Sequence, residues 1–168
     1  SNEIKVIAGG KTRRQSVFYG LQSFSPAINY VIIHDGARPL LPIFLIDRII
    51  ITVKEYKAVT LGVSLKNTVK KIDEEGYITT TLPRDLLSSI QTPQAFLYNL
   101  ILKAHHRISN KVSVTDDASL VEKLGFSVKV INGSDDNIKI TTPFDLVIAK
   151  KILEERQKEG EGEDRYRI

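Results

Sequence analysis

An α/β fold is predicted, with an open, mostly parallel, doubly wound sheet of the Rossmann-like kind. Three observations carry that expectation. Apolar strand-like runs alternate with helical periodicity in the order βαβαβ over the first 63 residues. The run "YVII" is apolar at every position, as in strands covered on both faces. Polar, glycine-bearing stretches follow the strands, at the carboxyl ends where such sheets hold ligands.

The elements follow in order. "EIKVIAG" reads as a strand that ends at Gly9 and Gly10. Thr12 suits the cap of a helix, "RRQSVFYGLQSF", whose Val17, Leu21 and Phe24 recur at helical spacing. "NYVIIHD" is the next strand. After the loop "HDGARP", Pro42 suits a first helical turn, and Leu45, Ile46, Ile49, Ile50 and Val53 form an apolar stripe. "KAVTLGV" is the third strand. The pattern then changes over 64–84. "NTVKKI" and "YITTTL" read as a β-hairpin turning at Gly76, with few large apolar residues, so it is expected to lean on another body. "LLSSIQ" resumes the sheet and "PQAFLYNLILKAHHR" reads as a helix, with His105 and His106 on its surface. Thr115 is expected to cap a short helix that Gly125 closes. "SVKVI" and "NIKIT" read as strands, and a capping box of Thr142, Pro143 and Asp145 opens the last helix. Residues 1–157 are taken as one domain that includes the 64–84 arm, and 158–168 as a charged tail or linker.

Composition narrows the function. Of 168 residues, 42% are apolar and 26% charged, a globular balance. No apolar run approaches a membrane span, and a soluble, cytoplasmic protein without a membrane partner is expected. Without cysteine, disulfide and thiolate chemistry are excluded. The net charge of +4 points to an anionic partner. Its basic residues are scattered, with no interleaved aromatics, which favours a small phosphate over nucleic acid.

Four polar clusters fall at strand ends: Gly9–Ser16, HDGARP at 34–39, QTPQ at 91–94, and GSDDNIKIT at 133–141. Gly10 and Ser16, at a turn into a helix, suit a phosphate or ribose approached by backbone amides. The P-loop spacing is absent, and so is GxGxxG. Asp35 is an acceptor for a hydroxyl or a metal-bound water, and Arg38 is a forked donor matched to phosphate oxygens. The same two residues also suit a structural pair capping the next helix. His34 reads as structural. Lys139 points opposite to Ile138 and Ile140, as an exposed or a functional lysine would. Arg84 closes the hairpin. No His/Asp/Glu spacing marks a resident metal site, and no Ser–His–Asp arrangement appears.

In order and spacing, "AGG…R..SV", "VIIHDGARP", "NTVKKI", "R…QTPQAF", "VTDDASLVEKLG" and "GSDDNIKITTPFDL" resemble the 2-C-methyl-D-erythritol 4-phosphate cytidylyltransferases of the non-mevalonate isoprenoid pathway. The resemblance covers about residues 4–155. It implies a nucleotidyltransferase-type sheet and transfer of CMP from CTP to the sugar phosphate, with release of pyrophosphate and with Mg²⁺ bound mainly through the CTP phosphates. By the same resemblance Gly10, Ser16 and the backbone of Gly36 hold the nucleotide. Asp35 and Arg38 orient the sugar phosphate, Thr92 and Thr115 add substrate contacts, and Arg84 and Lys139 position the attacking phosphate. The hairpin becomes an arm of a homodimer, with Thr68 and Arg84 serving the neighbouring subunit's site. The family's opening glycine-rich loop has no match here, so the expectation is an incompletely represented enzyme, weakly active or inactive by itself. "DRYRI" at the end resembles the opening strand of a cyclodiphosphate synthase of the same pathway. A cytidylyltransferase for another polyol phosphate, such as ribitol 5-phosphate, is the nearest alternative. A non-catalytic nucleotide-binding or dimerisation module is the alternative of another class.

Overall fold

The computed structural model describes residues 4–25, 27–109 and 112–164, the last six through the backbone alone. Helix α1 (Arg13–Gln22) leads to strand β1 (Tyr30–Ile33), and α2 (Ile43–Tyr56) leads to β2 (Ala58–Ser64). The hairpin follows as β3 (Val69–Ile72) and β4 (Ile78–Leu82), then a 3₁₀ turn over Arg84–Leu86. Strand β5 (Ser88–Leu97), helices α3 (Tyr98–Arg107) and α4 (Asp117–Lys123), strand β6 (Lys129–Asn132) and helix α5 (Pro143–Asp164) complete the chain.

The central sheet has the order β1-β5-β2-β6. β1, β2 and β6 run the same way. β5 is antiparallel to both of its neighbours, so the α/β sheet is mixed with a parallel β2–β6 ladder. Alternation sorts the side chains of β2 and β5 into two layers. Val59, Leu61 and Ala95 pack on Leu45, Ile49 and Val53 of α2. Ala58 and Phe96 face the other way, onto Leu21 of α1, Ile101 of α3, and Leu120 and Val121 of α4. Thr60 and Gln94 are buried polar residues of the same sheet.

One irregularity shapes the site. Thr60 pairs with Gln94 but the next residue, Leu61, pairs with Gln91, so Thr92 and Pro93 are dropped from the β2 ladder. Proline has no N–H to give a central strand, and a bulge accommodates it. The Thr92–Pro93 bond is cis. Side chains bond carbonyls at the bulge: Thr60 Oγ1 donates to Gln91 O at 3.2 Å, and Asn137 Nδ2 to Thr92 O at 2.8 Å.

The hairpin forms a separate two-stranded sheet. Its turn is fixed by Asp73, whose Oδ1 accepts from the amides of Glu75 and Tyr77, and by Gly76 at φ +91°. Thr12 caps α1 as expected, accepting from Gln15 N–H. At α5, Asp145 Oδ2 accepts from the amide of Thr142, and Thr142 Oγ1 from the amide of Asp145, a reciprocal capping box.

Several expectations are corrected. Residues 4–10 form no strand among the described residues. A strand exists through its ladder, and this segment has none; Ile4 and Val6 stand 92% and 90% exposed. "PQAFL" belongs to β5 and not to a helix, because Ala95 and Phe96 are drawn into opposite layers. "NIKIT" is irregular, tied by the Ile140 amide to Ala37 O at 2.8 Å. Asp116, not Thr115, caps α4 through Ser119 N–H. His105 is buried, its ring stacked on Phe18. The helix α5 carries the backbone through the expected tail as far as Asp164; the rest of that tail and most of "DRYRI", residues 165–168, lie outside the described residues. Among the described residues no helix is long and apolar enough to cross a membrane.

Candidate functional site

The HDGARP loop leaves the carboxyl end of β1, and the NIKIT segment follows β6 at the same end of the sheet. β5 runs the other way, so its bulge arrives there too, and the N-terminus of α4 closes the side. These segments and the start of α1 surround a cavity of about 380 Å³. Asp35, Arg38, Thr92, Thr115 and Lys139, five of the residues singled out from the sequence, line it together.

Asp35 is its electrostatic centre. Lys139 Nζ lies 3.0 Å from one carboxylate oxygen and Arg13 Nε 3.0 Å from the other. Burial works to raise the pKa of this carboxyl, but the hydrogen bonds and charges of Lys139 and Arg13 outweigh it. The group is held below the usual carboxylate range and is ionised near neutrality. Arg13 also reaches back, with Nη1 2.9 Å from Asp117 Oδ2, while His105 Nε2 lies 3.4 Å from the other oxygen of that buried carboxylate. Burial alone would lower the pKa of Arg13; Asp117 and Asp35 reverse that, and it is raised. Arg38 differs. Burial lowers its pKa, with Asp35 only partly opposing, and its Nη1 donates to Asn137 O at 2.6 Å. It remains a guanidinium. No carboxylate among the described residues forms an ion pair with it, which leaves a cation facing the cavity that suits an anion.

The walls are held by amide side chains. Gln94 Nε2 donates to Thr60 Oγ1 and Asp116 Oδ2, and its Oε1 accepts from the amides of Asp117 and Ala118, which seats α4 on the sheet. Asn137 bridges Gln91 Oε1 and Thr92 O. His34, read as structural, bonds to Thr92 and to Arg38 O.

Gly10 and Ser16 are brought together one turn from Arg13: the Gly10 amide donates to Ser16 Oγ at 3.0 Å, and that hydroxyl donates to Thr12 O. A Cβ on Gly10 would stand 2.3 Å from Gln15 Cβ, so the approach needs glycine. At Gly36 a Cβ would meet nothing within 4 Å, and open space adjoins that backbone. Arg84 and Thr68 do not line the cavity. Arg84 is exposed on its 3₁₀ turn and donates to Lys66 O.

Arg13, Asp117, Gln94 and Asn137 escaped the sequence reading. Arg13 stood inside the "AGG…R..SV" stretch without a role. Asp117 is the second half of an Asp-Asp pair at a helix start, and such pairs are usual solvated caps. Among the described residues no group of three or more His, Asp or Glu could hold a metal.

A profile of the family "2-C-methyl-D-erythritol 4-phosphate cytidylyltransferase" matches residues 1–155. A protein of that name from Pelotomaculum thermopropionicum is 44% identical over 153 residues, covering 90% of this chain and 64% of its own length. The one from Desulforamulus reducens is 47% identical over 152 residues, covering 90% and 65%. The crystal structure of 4-diphosphocytidyl-2C-methyl-D-erythritol synthase from Anaerococcus prevotii superposes with a TM-score of 0.84 at 38% identity, over 88% of this chain and 66% of that one. That of 2-C-methyl-D-erythritol 4-phosphate cytidylyltransferase from Thermus thermophilus gives 0.78 at 33%, over 87% and 71%. The chain thus spans just under two thirds of the length of these curated relatives.

Proposed function

The chain belongs to the 2-C-methyl-D-erythritol 4-phosphate cytidylyltransferase family, and we propose that the protein transfers CMP from CTP to 2-C-methyl-D-erythritol 4-phosphate. A phosphate oxygen of the sugar phosphate attacks the α-phosphorus of CTP. The bond from the α-phosphorus to the β-phosphoryl oxygen breaks, and pyrophosphate leaves. The observation that carries this reading is the meeting of Asp35, Arg38, Thr92, Thr115 and Lys139, from four separate segments, around one cavity. Such displacement needs positioning and charge neutralisation more than covalent help from the protein.

In this reading Lys139 and Arg38 neutralise the attacking phosphate, and Asp35 orients the sugar phosphate. Thr115 adds a substrate contact, and Gly10, Ser16 and the backbone of Gly36 hold the nucleotide. Magnesium enters with CTP as part of the substrate. Three carboxylates, Asp35, Asp116 and Glu122, line the cavity. Asp35 is already paired with Lys139 and Arg13, and Asp116 accepts from Gln94 and Ser119, which fits a hard cation bound mainly by phosphate oxygens and water. Arg84 and Thr68 serve the cavity of a second copy, with the 64–84 arm as the dimer contact. Their absence from their own chain's cavity supports that assignment. Residues 1–157 act as one catalytic domain in the cytoplasm, without nucleic acid or membrane partners.

Pyrophosphate release from CTP, measured with the methylerythritol phosphate and with ribitol 5-phosphate, tests the reading. Release that depends on the former is expected. Equal rates would move the assignment to a broader polyol phosphate enzyme. A chain whose melting temperature is shifted by neither CTP nor either sugar phosphate would end it.

A further inference from the structure

His34 opens the loop that carries Asp35 and Arg38, yet the proposed reaction gives it no task. Its Nε2 lies 2.9 Å from Arg38 O, and its Nδ1 3.1 Å from Thr92 Oγ1. A carbonyl oxygen only accepts, so Nε2 carries the proton and donates it. On the other side, the Asp35 amide donates to Thr92 Oγ1 at 3.0 Å and takes up one of the hydroxyl's two lone pairs. The Thr92 proton is then directed to the lone pair of Nδ1. The chain of donors runs from Asp35 N–H to Thr92 O–H to His34, and from His34 Nε2–H to Arg38 O. It begins and ends inside the HDGARP loop, and Thr92, lifted from the β2 ladder by the bulge, is its one outside member.

We propose that His34 is a positioning residue that makes Thr92 a pure hydrogen-bond acceptor towards the cavity. The inference rests on the proposed reading of the cavity as a sugar phosphate site. With its proton committed to His34 and one lone pair to Asp35 N–H, Thr92 has one lone pair left. It can receive a hydrogen bond from a ligand hydroxyl and has none to give to a phosphate oxygen. This corner of the cavity therefore reads the polyol, and phosphate recognition is left to Arg38 and Lys139. The His34 clamp also spans the loop between Asp35 and Arg38, in parallel with the Arg38 amide's bond to Asp35 O at 3.0 Å.

The test combines a spectrum with a binding series. Long-range ¹⁵N–¹H spectra of the wild-type imidazoles are expected to show His34 protonated at Nε2 alone; protonation at Nδ1 would overturn the proposal. In titration calorimetry with methylerythritol phosphate and, separately, inorganic phosphate, Thr92→Val should weaken the polyol phosphate about five- to tenfold and leave inorganic phosphate unchanged. His34→Gln keeps a donor for Arg38 O but removes the acceptor for Thr92, and the same selective loss is expected. His34→Asn keeps the acceptor and should retain most of the discrimination. Equal losses for both ligands in Thr92→Val, or wild-type binding in His34→Gln, would refute it. If the wild-type chain binds neither CTP nor the sugar phosphate, the functional reading falls, while the imidazole spectrum still decides the state of His34.

Discussion

Around the cavity most polar groups are engaged within the chain, whereas the β3–β4 arm is held by its own ladder and little else. Gln94 uses its amide on four partners, and Asp35 has a cation on each oxygen. On the arm, Tyr77 and Ile78 are 69% and 63% exposed, and the side-chain bond from Lys70 to Thr81 joins one strand of the hairpin to the other. A preformed cavity and a self-contained arm have different needs. The first is set before any ligand arrives. The second has apolar surface that gains only from something outside its own sheet.

The sharpest way to break the contrast is from beneath the cavity. Asp117→Ala would leave the half-buried Arg13 and the buried His105 without their shared carboxylate, and a loss of about 3 kcal/mol in urea unfolding is expected. A change below about 0.5 kcal/mol would show that the pair holds nothing up. Next comes Lys139→Ala. It should lower pyrophosphate release by about a hundredfold with little effect on melting, because the lysine is half-exposed and its loss leaves Asp35 still paired with Arg13.

Acid gives a smaller effect with a definite sign. The folded pKa of Asp35 lies below its unfolded value, so its stabilising contribution is complete above about pH 4 and fades as pH falls through the folded value. Urea midpoints of wild type and Asp35→Asn should therefore differ at neutral pH and converge as the pH falls through the folded value. A gap that widens on acidification would reverse the assignment of Asp35 as a stabilised carboxylate. The smallest effect belongs to the arm. Arg84→Ala and Thr68→Ala are expected to change unfolding free energy by less than about 0.5 kcal/mol. A clear destabilisation of a dilute, monomeric sample would contradict the view that their work lies outside their own chain.

Much of the site was legible because its residues sit in compact motifs at strand ends. HDGARP could be placed there from its apolar run alone, whereas QTPQ, expected at a strand end, lies within β5 and reaches the cavity through the bulge. What lay hidden depended on burial and pairing. Nothing local distinguishes Asp117 from Asp116, yet one is fully buried on Arg13 and the other caps a helix. His105 looked like a surface residue in a polar stretch, and packing against Phe18 put it inside. "PQAFL" has a proline and good helix formers, so local propensity pointed away from a strand, and the two-layer core overruled it. "EIKVIAG" and "NIKIT" have the alternation of strands, but alternation says nothing about whether a ladder partner is present.

The excursion at Thr92 and Pro93 has one more consequence. It is two residues long, an even number, so the strand leaves its neighbour and rejoins it in phase. Gln91 still shares a face with Leu61, and Gln94 with Thr60. A chain one residue shorter here would turn the rest of the strand over, sending Phe96 into the space shaped for Ala95 and Ala95 into that of Gln94. Parity thus lets the molecule push a hydroxyl towards the cavity while both halves of the interior stay undisturbed.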